Sequence, residues 1–71
     1  MNLITIQTMK DRTKARQLLN FESLDPAIGA LYQTLASSVV DDNVNVVLTM
    51  VMDDNGNVVK RESWIRENAK A

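Results

Sequence analysis

Hydrophobic and polar residues alternate most clearly between Val44 and Met52, and this alternation predicts the central strand of a sheet. Successive side chains of a strand point to opposite faces, so the two sets of alternate residues can be compared directly. The face that carries Asn45, Val47, Thr49 and Val51 is half apolar. The other face is wholly apolar, and it should therefore cover the core. Its residues are Val44, Val46, Leu48, Met50 and Met52.

A tight turn at residues 53–56 predicts a β-hairpin after this strand. Asp53 suits the first position of a type I turn, and Gly56 suits the position that requires a positive φ angle. A three-residue loop with a bulge at Gly56 would pair Met52 with Val58 and Val51 with Val59. Lys60 and Glu62 would then lie opposite Met50 and Leu48, which favours a short edge strand whose charges discourage pairing with other chains.

The same turn has a second interpretation as a calcium-binding EF-hand loop. Asp53, Asn55 and Glu62 fall at the third, fifth and twelfth positions of such a loop when Gly56 is its central glycine. Val51 then occupies the first ligand position, where it has no side-chain oxygen to offer, and the flanking residues have strand periodicity. The hairpin is the preferred interpretation, and we predict neither a metal site nor a cofactor.

Residues 3–20 predict a strand followed by a basic helix. Alternation and β-branched residues between positions 3 and 8 favour a strand. Thr8 and Asp11 have the spacing of a capping box, which predicts that a helix begins at residue 9 and ends near residue 20. Its solvated face would carry Lys10, Arg12, Lys14 and Arg16.

A second helix is predicted from Asp25 and Pro26 to about Ser38. Asp is a good N-cap, and Pro at the first helical position loses no hydrogen bond. Core spacing is found at Ile28, Leu31, Tyr32, Leu35 and Val39.

No charged residue occurs from position 26 to position 40, although a surface helix normally carries charge on its outer face. The second helix therefore lies either between the sheet and the first helix or against a second chain. A partner interface would include the small outer residues of this helix and the second face of the central strand. These residues are Ala27, Ala30, Gln33, Thr34, Ser37, Val47 and Val51.

The C-terminal segment has two readings. Ser63 would cap a last helix over residues 64–69, or the edge strand would continue to Ile65. Trp64 is the only tryptophan and is expected to close one end of the core.

Composition describes a small globular domain. The 71 residues form one domain, 45% of them are hydrophobic and 24% are charged. The chain has no cysteine, no signal-peptide pattern and no apolar run of membrane-spanning length, so a cytoplasmic location is expected. The net charge is −1, but basic residues concentrate at the two ends of the chain and acidic residues in the middle. If the ends meet, they form one basic patch.

The residues for common catalytic mechanisms are missing. Histidine and cysteine are both absent, and no serine has a recognisable base. The acid pairs at positions 41–42 and 53–54 stand beside asparagine in turn contexts, where bonding to the backbone explains them. We therefore predict that the chain is not an enzyme.

Two functions from different classes follow from these patterns. The first is a non-catalytic protein–protein interaction or regulatory protein that acts as a homodimer or as a small subunit, and the short length is typical of phage, plasmid or operon accessory products. The second is a dimeric DNA-binding regulator of the ribbon-helix-helix type. In that type Thr5 and Gln7 would read bases, while phosphates would contact Lys10, Arg12, Lys14 and Arg16.

The predicted fold is a single α+β domain over residues 1–71. Its element order is β-α-α-β-β with an optional terminal helix. The three-stranded, mainly antiparallel sheet packs on two helices, in a strand order that the sequence leaves open.

Overall fold

Two β-hairpins and one helix make up residues 1–67, the part of the chain that the computed structural model describes. The elements are β1 (Asn2–Met9), β2 (Lys14–Asn20), α1 (Leu24–Val40), β3 (Val44–Met52) and β4 (Val58–Ile65). The strands form one antiparallel sheet in the order β2-β1-β3-β4. The α+β class is confirmed. The predicted three-stranded sheet with two helices is wrong, because the described chain has four strands and one helix.

The residues predicted as a basic first helix form the edge strand β2. This strand pairs with β1 along its length, from Lys14 opposite Thr8 to Asn20 opposite Asn2. The side-chain amide of Asn20 also donates to the side-chain oxygen of Asn2 at 2.7 Å. Helix propensities differ by less than about 1 kcal/mol per residue among ordinary residues, so these cross-strand interactions override them. A ribbon-helix-helix fold requires a helix here, and the described chain does not have that arrangement.

The second hairpin has the predicted three-residue loop. Gly56 has a φ angle of 87°, and its amide donates to the Asp53 carbonyl at 3.1 Å. The Asp53 carboxylate accepts hydrogen bonds from the backbone amides of Asn55 and Asn57, at 2.9 Å each. The Asn57 amide is the largest cause that holds the pKa of Asp53 below its usual range. Both flanks of the loop are strands rather than EF-hand helices.

The first hairpin uses the same kind of loop without a glycine. The Met9 amide donates to the Thr13 carbonyl at 2.8 Å, and the Arg12 amide donates to the Met9 carbonyl at 2.9 Å. Arg12 occupies the position equivalent to Gly56 and has a φ angle of 72°. Positive φ angles are costly for residues that carry a Cβ atom, so this turn stores strain that the second turn avoids.

Exchanging glycine between the two loops should change stability in opposite directions. Arg12→Gly should raise the free energy of unfolding by about 0.5–1 kcal/mol, because it relieves left-handed strain. Gly56→Ala should lower it by a similar amount, and this loss is purely conformational because nothing lies within 4 Å of an added Cβ atom. Urea denaturation of both variants measures the two changes. A loss of stability in Arg12→Gly would show that the backbone at Arg12 is not strained.

A register shift between Val51 and Met52 changes the pairing of the second hairpin. Met52 lies opposite Val58, as predicted, but Val51 lies opposite Lys60 rather than Val59. The predicted short return strand is also wrong, because β4 extends to Ile65 as a full edge strand. The shift turns the charged side chains that were predicted opposite Met50 and Leu48 toward α1.

Lys60 consequently lies beside the helix. Its ammonium group is 5.8 Å from the centroid of the Tyr32 ring and 3.5 Å from the Glu62 carboxylate. Hydrogen bonding to Tyr32, followed by the Glu62 contribution, raises the pKa of Lys60 above its usual value.

The end of β4 is attached to the end of α1 through Arg66. Its guanidinium donates to the carbonyls of Val44 at 3.1 Å, Asp41 at 2.9 Å and Val39 at 3.3 Å. It also lies 4.8 Å from the ring of Trp64, which is half-buried. Of the two predictions for this segment, the continuation of the strand to Ile65 is thus confirmed. The last residues of the alternative terminal helix, 68 and 69, lie outside the described part.

The helix α1 begins at Leu24, with Ser23 as its N-cap, so Asp25 lies in the first turn instead of at the cap. It is also rotated from the predicted orientation. Ala27, Leu31 and Ser38 are its buried residues, whereas Tyr32 was predicted in the core and is 45% exposed. The side of α1 with small residues therefore faces the chain's own sheet.

The layer between α1 and the sheet is partly polar. Leu3, Ala27, Leu31 and Val51 form its apolar cluster. Beside them a second set of contacts is hydrogen-bonded. Thr5 and Thr49 share a buried hydroxyl pair at 3.1 Å, Gln7 donates to Ser38 at 2.8 Å, and Ser38 donates to the Thr34 carbonyl at 2.9 Å.

Candidate interaction surface

The face of the sheet opposite α1 is not covered by any helix or strand within residues 1–67. Leu3, Thr5, Val47, Thr49 and Val51 are buried toward the helix, so the residues between them point the other way. We call this second side the open face. On the first hairpin it carries Asn20, Leu18, Arg16 and Lys14 of β2, and Asn2, Ile4, Ile6 and Thr8 of β1. On the second hairpin it carries Met52, Met50, Leu48 and Val46 of β3, and Val58, Arg61, Ser63 and Ile65 of β4.

The centre of the open face is apolar. Ile4 lies opposite Met50, and Ile6 lies opposite Leu48 on the two central strands. These four side chains are only half-buried, since their shelter comes from neighbours in the same sheet. Apolar side chains continue toward the margins, where Leu18 is 66% exposed, Val58 is 52% exposed and Ile65 is 48% exposed.

The predicted core face of β3 is this open face. Val46, Leu48, Met50 and Met52 are half-buried, whereas the alternate residues Val47, Thr49 and Val51 are fully buried under α1. Val44 is also buried, but a register irregularity at Met9 separates it from the other four. The prediction of which face covers the core is thus wrong.

The physical reason lies in the surface of α1. Its inward residues include Ala27 and Ser38, which are small enough to lie over this side of the sheet. Ser38 accepts a hydrogen bond from Gln7, while Thr5 and Thr49 are bonded to each other. The larger and wholly apolar side chains at the centre of the sheet are left on the other side.

The charged residues of the open face are all basic in the described chain. Lys14 and Arg16 lie on β2, and Arg61 lies on β4. These strands are the two opposite edges of the sheet. On the open face the basic residues of β2 and β4 therefore lie apart, because the central pair β1 and β3 separates them.

The partner interface predicted from the sequence is not a continuous surface. Ala27, Val47 and Val51 have no exposed area, so a second chain cannot contact them in this fold. Two others are half-buried and two are exposed. The half-buried residues are Ala30 and Thr34, and the exposed residues are Gln33 and Ser37. The small residues on α1 allow the sheet of the same chain, rather than the backbone of a second chain, to approach the helix closely.

The predicted nucleic-acid residues also separate into two groups. Thr5 is buried against Thr49, and Gln7 is bonded to Ser38, so neither side chain is free to read bases. The basic residues are exposed, two in the first hairpin loop and two on β2. They are Lys10 and Arg12 in the loop, and Lys14 and Arg16 on the strand.

Neither a metal cluster nor a membrane-spanning helix is found in the described residues. No group of three or more acidic side chains between positions 1 and 67 lies close enough together to hold a metal ion. No helix in the same range is long and apolar enough to cross a membrane. Comparison of the whole chain with family models, curated proteins and solved structures gives no match.

Proposed function

We propose that this chain is a non-catalytic protein–protein interaction or regulatory domain that binds its partner through the open face. The observation that carries the proposal is the uncovered position of Ile4, Ile6, Leu48 and Met50 at the centre of the sheet. Contiguous apolar surface of this kind is unusual on small monomeric proteins, and it typically marks an interaction site.

The size of the domain supports the same function. A chain of about 70 residues buries only about 60% of the surface that its unfolded form exposes, so its stability alone is marginal. Each Å² of apolar surface removed from water contributes about 25 cal/mol. A partner on the open face would supply the second apolar layer that the chain does not provide within residues 1–67.

Site-specific photo-crosslinking in cells of the source organism tests this function. A benzophenone amino acid at Leu18, on the open face, should form a covalent adduct with another protein chain. The same group at Tyr32, which is also exposed but lies on α1, is the matched control and should form none.

The adduct is identified by mass spectrometry and reconstituted from purified components. Binding should then be lost when Leu48 is replaced by lysine. Crosslinking from Tyr32 alone, or from neither position, would contradict the proposed function.

A further inference from the structure

We infer that the partner on the open face is a second copy of this chain, so that two sheets pack face to face with both helices outside. This inference rests on the proposed function and names its partner. It is carried by the area of the face and by the arrangement of apolar and polar side chains on it.

The area is sufficient for a specific dimer. Strands lie about 4.8 Å apart and rise about 3.3 Å per residue, so four strands with six-residue spans cover roughly 500 Å² when side-chain margins are included. Two such faces bury roughly 1,000 Å² together, which reaches the lower limit for specific interfaces. A second sheet of the same width also has the shape required for packing about 10 Å away.

The apolar residues of the face are self-complementary. A two-fold axis between the sheets and perpendicular to the strands places each strand over its own copy in the reverse direction. The registers then bring like residues together. Ile4 lies over Ile6 of the second copy, Met50 over Leu48, Val46 over Met52, and Ile65 over Val58.

The same axis separates the positive charges. Lys14 lies over Asn20 of the second copy, Arg16 over Leu18, and Arg61 over Ser63. None of these cations faces another cation, and the aliphatic stem of an arginine can lie along an apolar neighbour. An axis parallel to the strands also separates the cations, but it places Lys14 over Ile65 and Thr8 over Val46. The perpendicular axis therefore gives the better match.

The first test is the solution mass of purified protein by light scattering over a range of concentrations. The natural chain should have twice the mass of one chain. Leu48→Lys should weaken the dimer at least about 100-fold, because it places an unpaired charge at the centre of the interface. Ala36→Lys, on the exposed side of α1, is the matched control and should remain dimeric.

The second test establishes the packing. The chain has no cysteine, so single cysteines report on chosen positions. A short bismaleimide should link Ile4→Cys to Ile6→Cys in a mixture of the two variants. It should link Ile4→Cys to Met50→Cys less efficiently, because those positions meet only across an axis parallel to the strands.

The outcomes distinguish the two proposals. A natural chain that is monomeric at all concentrations, or a Leu48→Lys variant that remains fully dimeric and folded by circular dichroism, overturns the homodimer. Monomeric purified protein together with a Leu18 adduct to a different protein overturns the homodimer and leaves the proposed function standing. Monomeric protein without any adduct overturns both.

Discussion

Replacing Leu31 with alanine should lower the free energy of unfolding by about 2–5 kcal/mol, the range for truncating a buried leucine. Leu31 has no exposed surface and packs with Leu3, Ala27 and Val51 between the helix and the sheet. Small domains have total stabilities near the lower end of about 5–15 kcal/mol. The variant should therefore retain no more than about 3 kcal/mol, so that its unfolding midpoint in urea, followed by far-UV circular dichroism, falls well below that of the natural chain.

Val40→Ala provides the control for this prediction. Val40 is at the end of the same helix and is 80% exposed, so its truncation should change stability by no more than about 0.5 kcal/mol. All variants are compared at one protein concentration, because association adds to the apparent stability. Equal losses for the two variants would show that Leu31 is not at the centre of the core.

Removing one hydroxyl of the Thr5–Thr49 pair should cost more than removing both. Each side chain is buried, and the two hydroxyl oxygens are 3.1 Å apart. Thr5→Val or Thr49→Val leaves the remaining hydroxyl without this partner, at a cost of about 1–3 kcal/mol. The double variant replaces the polar pair with two apolar groups of the same shape, so its stability should approach that of the natural chain.

A double-mutant cycle by urea denaturation measures this coupling. Ser37→Ala is the control, since it removes an exposed hydroxyl on α1, away from the open face. If the losses of the single variants simply add in the double variant, the two hydroxyls do not depend on each other.

The second half of the fold was predictable because its signals are local. The second hairpin is predicted from three features that are close together in the sequence. They are the alternation over residues 44–52, the aspartate at position 53 and the glycine at position 56. The strand β2 has no comparable signal. Its sequence contains good helix formers, and its turn has Arg12 where glycine would have indicated a positive φ angle. Only pairing with β1, which local propensity does not report, makes this segment a strand.

The open face is not predicted from the sequence, because apolar content alone assigns the wholly apolar side of β3 to the core. The signal that could have located the face is present in β3 itself, where Val47 and Val51 make the second side apolar as well. A strand with two apolar sides needs two covering layers. The described chain supplies one of these layers, the helix α1.

The strand order also determines how the chain assembles. Each hairpin closes locally, but the sheet is joined only where β1 meets β3, and these strands are separated along the chain by β2 and α1. An isolated two-stranded hairpin is at best marginally stable in water. We therefore expect the first hairpin to become stable only after β3 has been synthesised. Closure of this long connection should then limit the rate of folding, and we expect neither half of the chain to fold alone.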